Sequence, residues 1–403
     1  MNRRSAWPDA TAVHAALAPV GALLAERRAL YRLAADMFAS DEREPADEKL
    51  DNPLFRFRVG EALAGRALFD PTVEDDLAPV TTELRSGEAR LRVAIGMGAN
   101  DLLAGAMRVI RAQSFSDGTP PRLLTGADGE PFTRALDTIQ AGLDKARAVS
   151  PQLTDDLLPH VGLLVILDPE TSGGLISASS RFFPGLILID RPVNPFDVAE
   201  ALIHEGAHQK FFDLAITHDF LGADPAEGRT FHPSWSGASW PVEQVIAAFH
   251  AYACLAQFNE DVARAGESAS LGVNSLLPVA REREEEIGEW LLAAETALEL
   301  DARWLLRTFL EEDTADLTQE STAMAPEGRY ALDPLLRVAR MAHSRRVLLA
   351  RPGSPPELHW LSGDAGDVVV RLSGESLSAA ELGSEYVRAL SALVESSLVH
   401  RVE

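Results

Sequence analysis

His204-Glu205-Gly206-Ala207-His208 decides how the rest of this 403-residue chain is read. Two histidines four residues apart on an α-helix project from one face, so both imidazoles can bind a single metal ion. Glu205 lies about 100° round the helix from His204 and can serve as a base or orient a ligand. The helix around the motif is well marked. Asn194 is a good N-cap, Pro195 suits the first helical position, and Asp197 adds a capping-box-like carboxylate, so helix is expected over 195–216. Three short apolar runs precede it, at 161–167, 175–178 and 185–189, separated by turn-rich stretches, and they read as strands.

Beyond the motif, 222–240 holds Pro225, Gly228, Pro233 and Gly237 and reads as a loop, with a second helix expected from Pro241 to about Arg264. Helical periodicity is also expected over 13–38, 61–68, 133–148, 277–310, 332–349 and 377–399. Residues 41–51 and 114–131 read as loops, and 357–372 as a strand pair. The resulting fold class is α+β, predominantly helical, with a zincin-like motif helix preceded by a small antiparallel sheet. Three regions are expected: 1–150, N-terminal and helical; 151–265, the metal-site core; and 266–403, helical with a short strand pair.

Composition narrows the classes. Hydrophobic residues at 46% and charged residues at 24% are ordinary for a globular protein. No apolar run is long enough to span a bilayer, and Asp9, His14 and Pro19 interrupt the stretch after Arg3 and Arg4, so neither a membrane segment nor a signal peptide is expected. A net charge of −24 repels nucleic acid and anionic membranes. The single cysteine, Cys254, excludes an internal disulfide framework and suits a reducing cytoplasm.

A metal needs at least one more protein ligand. Ten positions after His204 stands Leu214, which excludes the metzincin spacing. Glu243 and His250, seven residues apart on one face of the second helix, are both in reach by sequence, and His232 stays open as a loop candidate. His218 shares the face of the motif histidines but lies roughly 15 Å from the metal end. Lys210 sits about 140° from the direction of the histidine pair and should point away, as a surface or second-layer residue, whereas Phe211 and Ala215 share the metal face.

The order His204-Glu205-x-x-His208-x-Lys210, then Pro233-Ser234-Trp235, then His250-Ala251-Tyr252-Ala253, resembles the HExxH-motif peptide-modification proteins encoded with ribosomally made peptides. The likeness is strongest over 185–258. It implies an iron(II)- and 2-oxoglutarate-dependent peptide β-hydroxylase of ribosomal peptide (RiPP) biosynthesis. It further implies His204, His208 and His250 as iron ligands and a precursor peptide as substrate. The chain departs from the family at Ser236, where an arginine commonly follows the Pro-Trp pair. If that arginine grips the co-substrate carboxylate, another cation serves here, and Arg229, Arg181 and Arg191 are nearest in sequence, Arg229 being the first choice. Two other readings stand beside this one. A zinc peptidase would use Glu205 as general base on zinc-bound water, with Glu243 as third ligand. A silent scaffold would keep the metal for stability alone.

Overall fold

The computed structural model describes residues 8–38, 45–66, 79–97, 102–114, 120–174, 176–218, 220–221, 229–268, 271–314, 317, 328–340, 346–351, 357–361, 363–383 and 386–402. Parts of the segments expected at 41–51, 61–68, 114–131, 175–178 and 222–240 lie outside those residues. The architecture is α+β and predominantly helical, divided into two compact units.

The first unit comprises 1–24, 51–57 and 72–317. Its centre is a five-stranded sheet of β1 (Val80–Ser86), β2 (Ala89–Gly96), β3 (Leu163–Leu167), β4 (Ser177–Ser179) and β5 (Leu186–Asp190), in the order β1-β2-β3-β5-β4. β3 runs parallel to both β2 and β5, while β1 and β4 are antiparallel edges. The sheet ahead of the motif is thus mixed, not wholly antiparallel as expected. The β1–β2 hairpin joins it from a region expected to be helical; its alternating Leu, Val and Arg residues have a period of two, the signature of a half-buried strand.

β3 (LLVIL) and β5 (LILID) are continuous apolar runs because both faces of the sheet are covered. Leu164, Ile166, Ile187 and Ile189 face one core with residues of α3 (Glu130–Val149) and α5 (Pro195–Thr217); Leu163, Val165, Leu186 and Leu188 face another with residues of α2 (Leu102–Ser114). The intervening α4 is Pro151–Leu157, and α1 is Ala10–Leu17. The turn into β5 requires Gly185, whose φ of +94° favours glycine and whose Cβ position is filled by the Arg56 guanidinium. Gly185 N–H donates to the Gln209 side chain, tying strand to motif helix.

α5 starts at the expected cap, with the Asn194 side chain accepting from Phe196 N at 3.0 Å, and it packs against α6 (Val242–Arg264). α7 (Ala280–Ala293) and α8 (Leu300–Phe309) extend the helical core around α6. They correct the single helix expected over 277–310, which is interrupted by the short turn 295–297. The helix expected over 13–38 likewise breaks before Pro19, a residue that cannot donate into the preceding turn.

The second unit comprises 25–50, 58–71 and 318–403. The segment expected to be helix over 332–349 is strand where described: β6 (Arg329–Leu332), β7 (Arg337–Arg340) and β8 (Val347–Arg351), the last two pairing with each other and β8 with β9 (Glu357–Leu361). The second half of the expected strand pair is helix α9 (Gly363–Leu372), and the closing segment is two short helices between strands. Short apolar stretches fit either period, and here Val347 and Leu349 alternate into a core with Val368, Val369 and Leu372 of α9. No helix among the described residues is long and apolar enough to cross a membrane.

Gly142 sets how closely α3 and α5 approach. A Cβ there would lie 2.4 Å from Val198 Cβ and 2.8 Å from the Pro195 carbonyl oxygen. Gly142→Ala should therefore destabilise the protein by about 1–3 kcal/mol despite its better helix propensity, read as a lowered thermal midpoint.

Candidate metal centre

α5 is almost wholly buried, and its two motif histidines are among the few residues on it that retain partial exposure. Their rings face each other with centroids 4.9 Å apart and Nε2 atoms 3.1 Å apart. Two nitrogens each about 2.0–2.1 Å from one ion stand about 2.9 Å apart at a right angle and about 3.3 Å apart at a tetrahedral angle. The pair therefore fits two ligands of one metal. Burial, and after it the neighbouring His204, push the His208 pKa down to about 3, which keeps that ring neutral and able to coordinate near neutrality.

Both histidines line a pocket of about 500 Å³. Its walls are Ser179, Ser180, Arg181 and Phe182 at the end of β4, Phe212 on α5, and Glu243, Gln244, Ala247, Ala248, Ala251 and Tyr252 on α6 with Trp240 before it. The small alanines let α6 come close to the metal-binding face. Tyr252 meets His204 edge-on at 6.3 Å and Trp235 at 6.1 Å, and Arg283 donates to its hydroxyl while lying over the Trp235 ring. The Pro233-Ser234-Trp235 stretch thus places a ring against Tyr252, outside the pocket lining.

Glu205 is buried and turned towards β4, where its two carboxylate oxygens accept from the Ser177 hydroxyl at 2.7 Å and the Ser179 hydroxyl at 2.6 Å. Both oxygens are held by the edge strand, an arrangement suited to orienting the helix against the sheet. Glu243 lines the pocket, with Oε1 3.5 Å from an Arg181 nitrogen.

His250 is fully buried and outside the pocket lining. Its Nε2 lies 2.7 Å from His14 Nε2, its ring packs on Phe211 and Phe309, and its Nδ1 is buried without a hydrogen-bond partner. His204, His208 and His250 do not bring their donor atoms to common ligand spacing. Among the described residues the group that does is His14, His250 and Cys254, all within 4.8 Å of one another. Cys254 is buried, and that burial raises its thiol pKa well above the ordinary range.

Of the candidate cations, Arg181 reaches the pocket. Arg229 does not: it donates to the Ala293 carbonyl at 3.2 Å, which corrects its assignment to an anionic co-substrate. Arg191 is exposed and also outside the pocket lining. His232 is exposed beside Thr230, and His218 caps the end of α5 with its Nδ1 near the Thr217 hydroxyl; neither lines the pocket. Phe211 and Ala215 pack in the core, and Phe212 forms the wall instead. Lys210 points away from the pocket as its angle requires, but it is completely buried, not on the surface. His14 and Asp156, which meet it there, have no signal in the sequence, since they lie far from the motif along the chain.

No protein-family model matches this chain, and no curated protein is similar to it.

The depressed His208 pKa has a consequence for stability. Between about pH 6.5 and 3 the unfolded metal-free chain holds a proton at this ring that the folded chain does not, so stability is lost as pH falls through that window. His208→Asn removes this linkage. Between pH 7.5 and 5 the variant should lose about 1–2 kcal/mol less than the parent in urea unfolding, after discounting for the ring's partial exposure.

Proposed function

We propose that this protein is a mononuclear iron(II) oxygenase that uses a 2-oxo acid, 2-oxoglutarate, to hydroxylate a residue of a peptide. The facing Nε2 atoms of His204 and His208 at the floor of a partly aromatic pocket carry the reading. His250 is the third donor that the resemblance implies, although its donor atoms are not at ligand spacing with the pair. An iron(II) ion bound there would supply the chemistry for attack on an unactivated C–H bond, with O₂ as oxidant and the 2-oxo acid as the co-reductant that leaves as succinate and CO₂.

The chain's own residues have separate tasks. His204 and His208 would hold the ion through their Nε2 atoms on the pocket side of the helix. Arg181, the cation of the pocket lining among the described residues, binds the distal carboxylate of the co-substrate, exchanging its contact with Glu243 for it. Trp240, Tyr252, Phe182 and Phe212 exclude water around the reacting carbon. Glu205, with both oxygens engaged by Ser177 and Ser179, keeps β4 against the motif helix. β4 is an edge strand and Phe182 just beyond it is about half exposed, so an extended peptide can pair alongside it and direct one side chain inward.

One observation favours a second reading, a zinc peptidase: Glu243, not His250, lines the pocket with the histidine pair. Hydrolysis would then require Glu205 to leave its two serine hydroxyls and take a proton from metal-bound water.

Metal content and conversion of 2-oxoglutarate to succinate separate the two. His204→Ala, His208→Ala and His250→Ala should each lose iron and turnover, while Glu243→Ala keeps most of its iron. Loss of metal in Glu243→Ala with retention in His250→Ala, together with cleavage of peptides, would establish the peptidase instead. Arg181→Ala should raise the KM for 2-oxoglutarate at least tenfold with little change in iron content; an unchanged KM removes Arg181 from this role.

A further inference from the structure

The α6 wall of the pocket has an acidic end and an apolar middle. Glu243 lies in the first turn of α6, and among the described residues its carboxylate is the one acidic group of the lining. Ala247 and Ala251 follow it at four-residue intervals on one side of the helix, each step about 6 Å along the axis, with Ala248 beside them. Tyr252 ends the row and meets His204 edge-on at 6.3 Å. About 13 Å of helix therefore separates Glu243 from the level of Tyr252, and the wall between them offers methyl groups.

The Glu243 carboxylate is loosely held. An Arg181 nitrogen stands 3.5 Å from its Oε1, longer than a direct N–H···O bond, and Arg181 is exposed. Glu205, by contrast, is bonded by two serine hydroxyls. When Arg181 turns to the distal carboxylate of the co-substrate, Glu243 is left facing the pocket without a counter-charge. An unpaired carboxylate in water-poor surroundings is costly, so the group that restores the balance has to arrive with the substrate.

That group carries a positive charge and reaches Glu243 along a row of methyl groups. Lysine and arginine meet both requirements: their unbranched stems pack on apolar surface while the charged head reaches a polar partner. A neutral side chain leaves the carboxylate unpaired, and an acidic one meets like charge. The net charge of −24 also draws basic peptides towards the surface before they dock.

We infer that the peptide residue entering this pocket is a lysine or an arginine, with its stem along Ala247, Ala248 and Ala251 and its cationic head on Glu243. This inference rests on the reading of the pocket as one that takes a peptide side chain. It makes Glu243 a specificity-determining residue and not a metal ligand.

The test selects a displayed library of random decapeptides on the full chain with iron(II) and 2-oxoglutarate, oxygen excluded, at physiological salt. Retained peptides should share Lys or Arg at one position. Glu243→Gln should lose that preference while keeping its iron, and Glu243→Lys should replace it by Asp or Glu. A retained peptide made with norleucine in place of the basic residue should bind the parent about tenfold more weakly, and should bind Glu243→Gln as well as the original peptide does. The norleucine comparison on the parent stands even if a variant fails to fold.

Retention of peptides with no basic residue in common, or of none, overturns the inference. So does equal binding of the norleucine peptide by the parent. Glu243→Gln that keeps the preference but has a lowered thermal midpoint would show a carboxylate serving only the positive end of α6, and loss of iron from it would make Glu243 a ligand; either result also overturns the inference. The oxygenase reading fails by a different result: a basic preference that depends on Glu243, with no succinate formed when a retained peptide and O₂ are supplied.

Discussion

Helix α5 must bury nearly all of its surface and still offer two imidazoles to a pocket. It is packed against α3 on one side, where Gly142 allows a backbone-close approach, and against α6 on another. Enclosure on two sides fixes which face of the helix meets the pocket, and the two side-chain conformations on that face set the 3.1 Å separation of the Nε2 atoms. The sheet contributes the remaining restraint: Gln209 accepts from Gly185, and Glu205 is held by two hydroxyls of β4. The motif glutamate therefore links the edge strand to the helix that carries the ligands.

Polar groups on this helix divide by direction. Those facing the pocket, His204 and His208, are partly exposed, and burial keeps His208 neutral. Those facing inward, Lys210 and Gln209, are buried, with Lys210 donating to Asp156 and the Gln209 side-chain oxygen accepting from Gly185. An unpaired ammonium in that position would be costly, and Asp156 removes the cost only because α4 delivers it to the same place. His14, also buried, stands against the other Asp156 oxygen at 2.6 Å and meets His250 at 2.7 Å.

The pocket itself combines a guanidinium, a carboxylate and a largely apolar wall. Such a mixture suits a small anion beside a reacting side chain better than an extended polar substrate. Trp240 and Tyr252 line it, Trp235 packs against both, and Arg283 lies over the Trp235 and Tyr252 rings. The position where the resembling family commonly has an arginine is Ser236, and the cation of this pocket comes from the other side, after β4.

The motif, its capped helix and the partner helix were legible because each is a local property. Histidines at a four-residue interval share a face whatever surrounds them, and Asn194-Pro195 starts a helix through its own backbone chemistry. The angle of Lys210 was legible for the same reason, although its burial was not. Strand and helix were confused over 332–349, where apolar residues satisfy both periods and only packing against α9 decides between them. Helix direction alone did not separate Glu243 from His250, because seven residues return a helix to nearly the same direction, and the preference for His250 came from the resemblance. The tertiary structure separated them by depth, Glu243 at the pocket and His250 behind it against His14. It alone brought His14, Asp156 and Lys210 together, since contacts between residues 50 to 240 positions apart are set by how elements pack and leave no periodic trace in the chain.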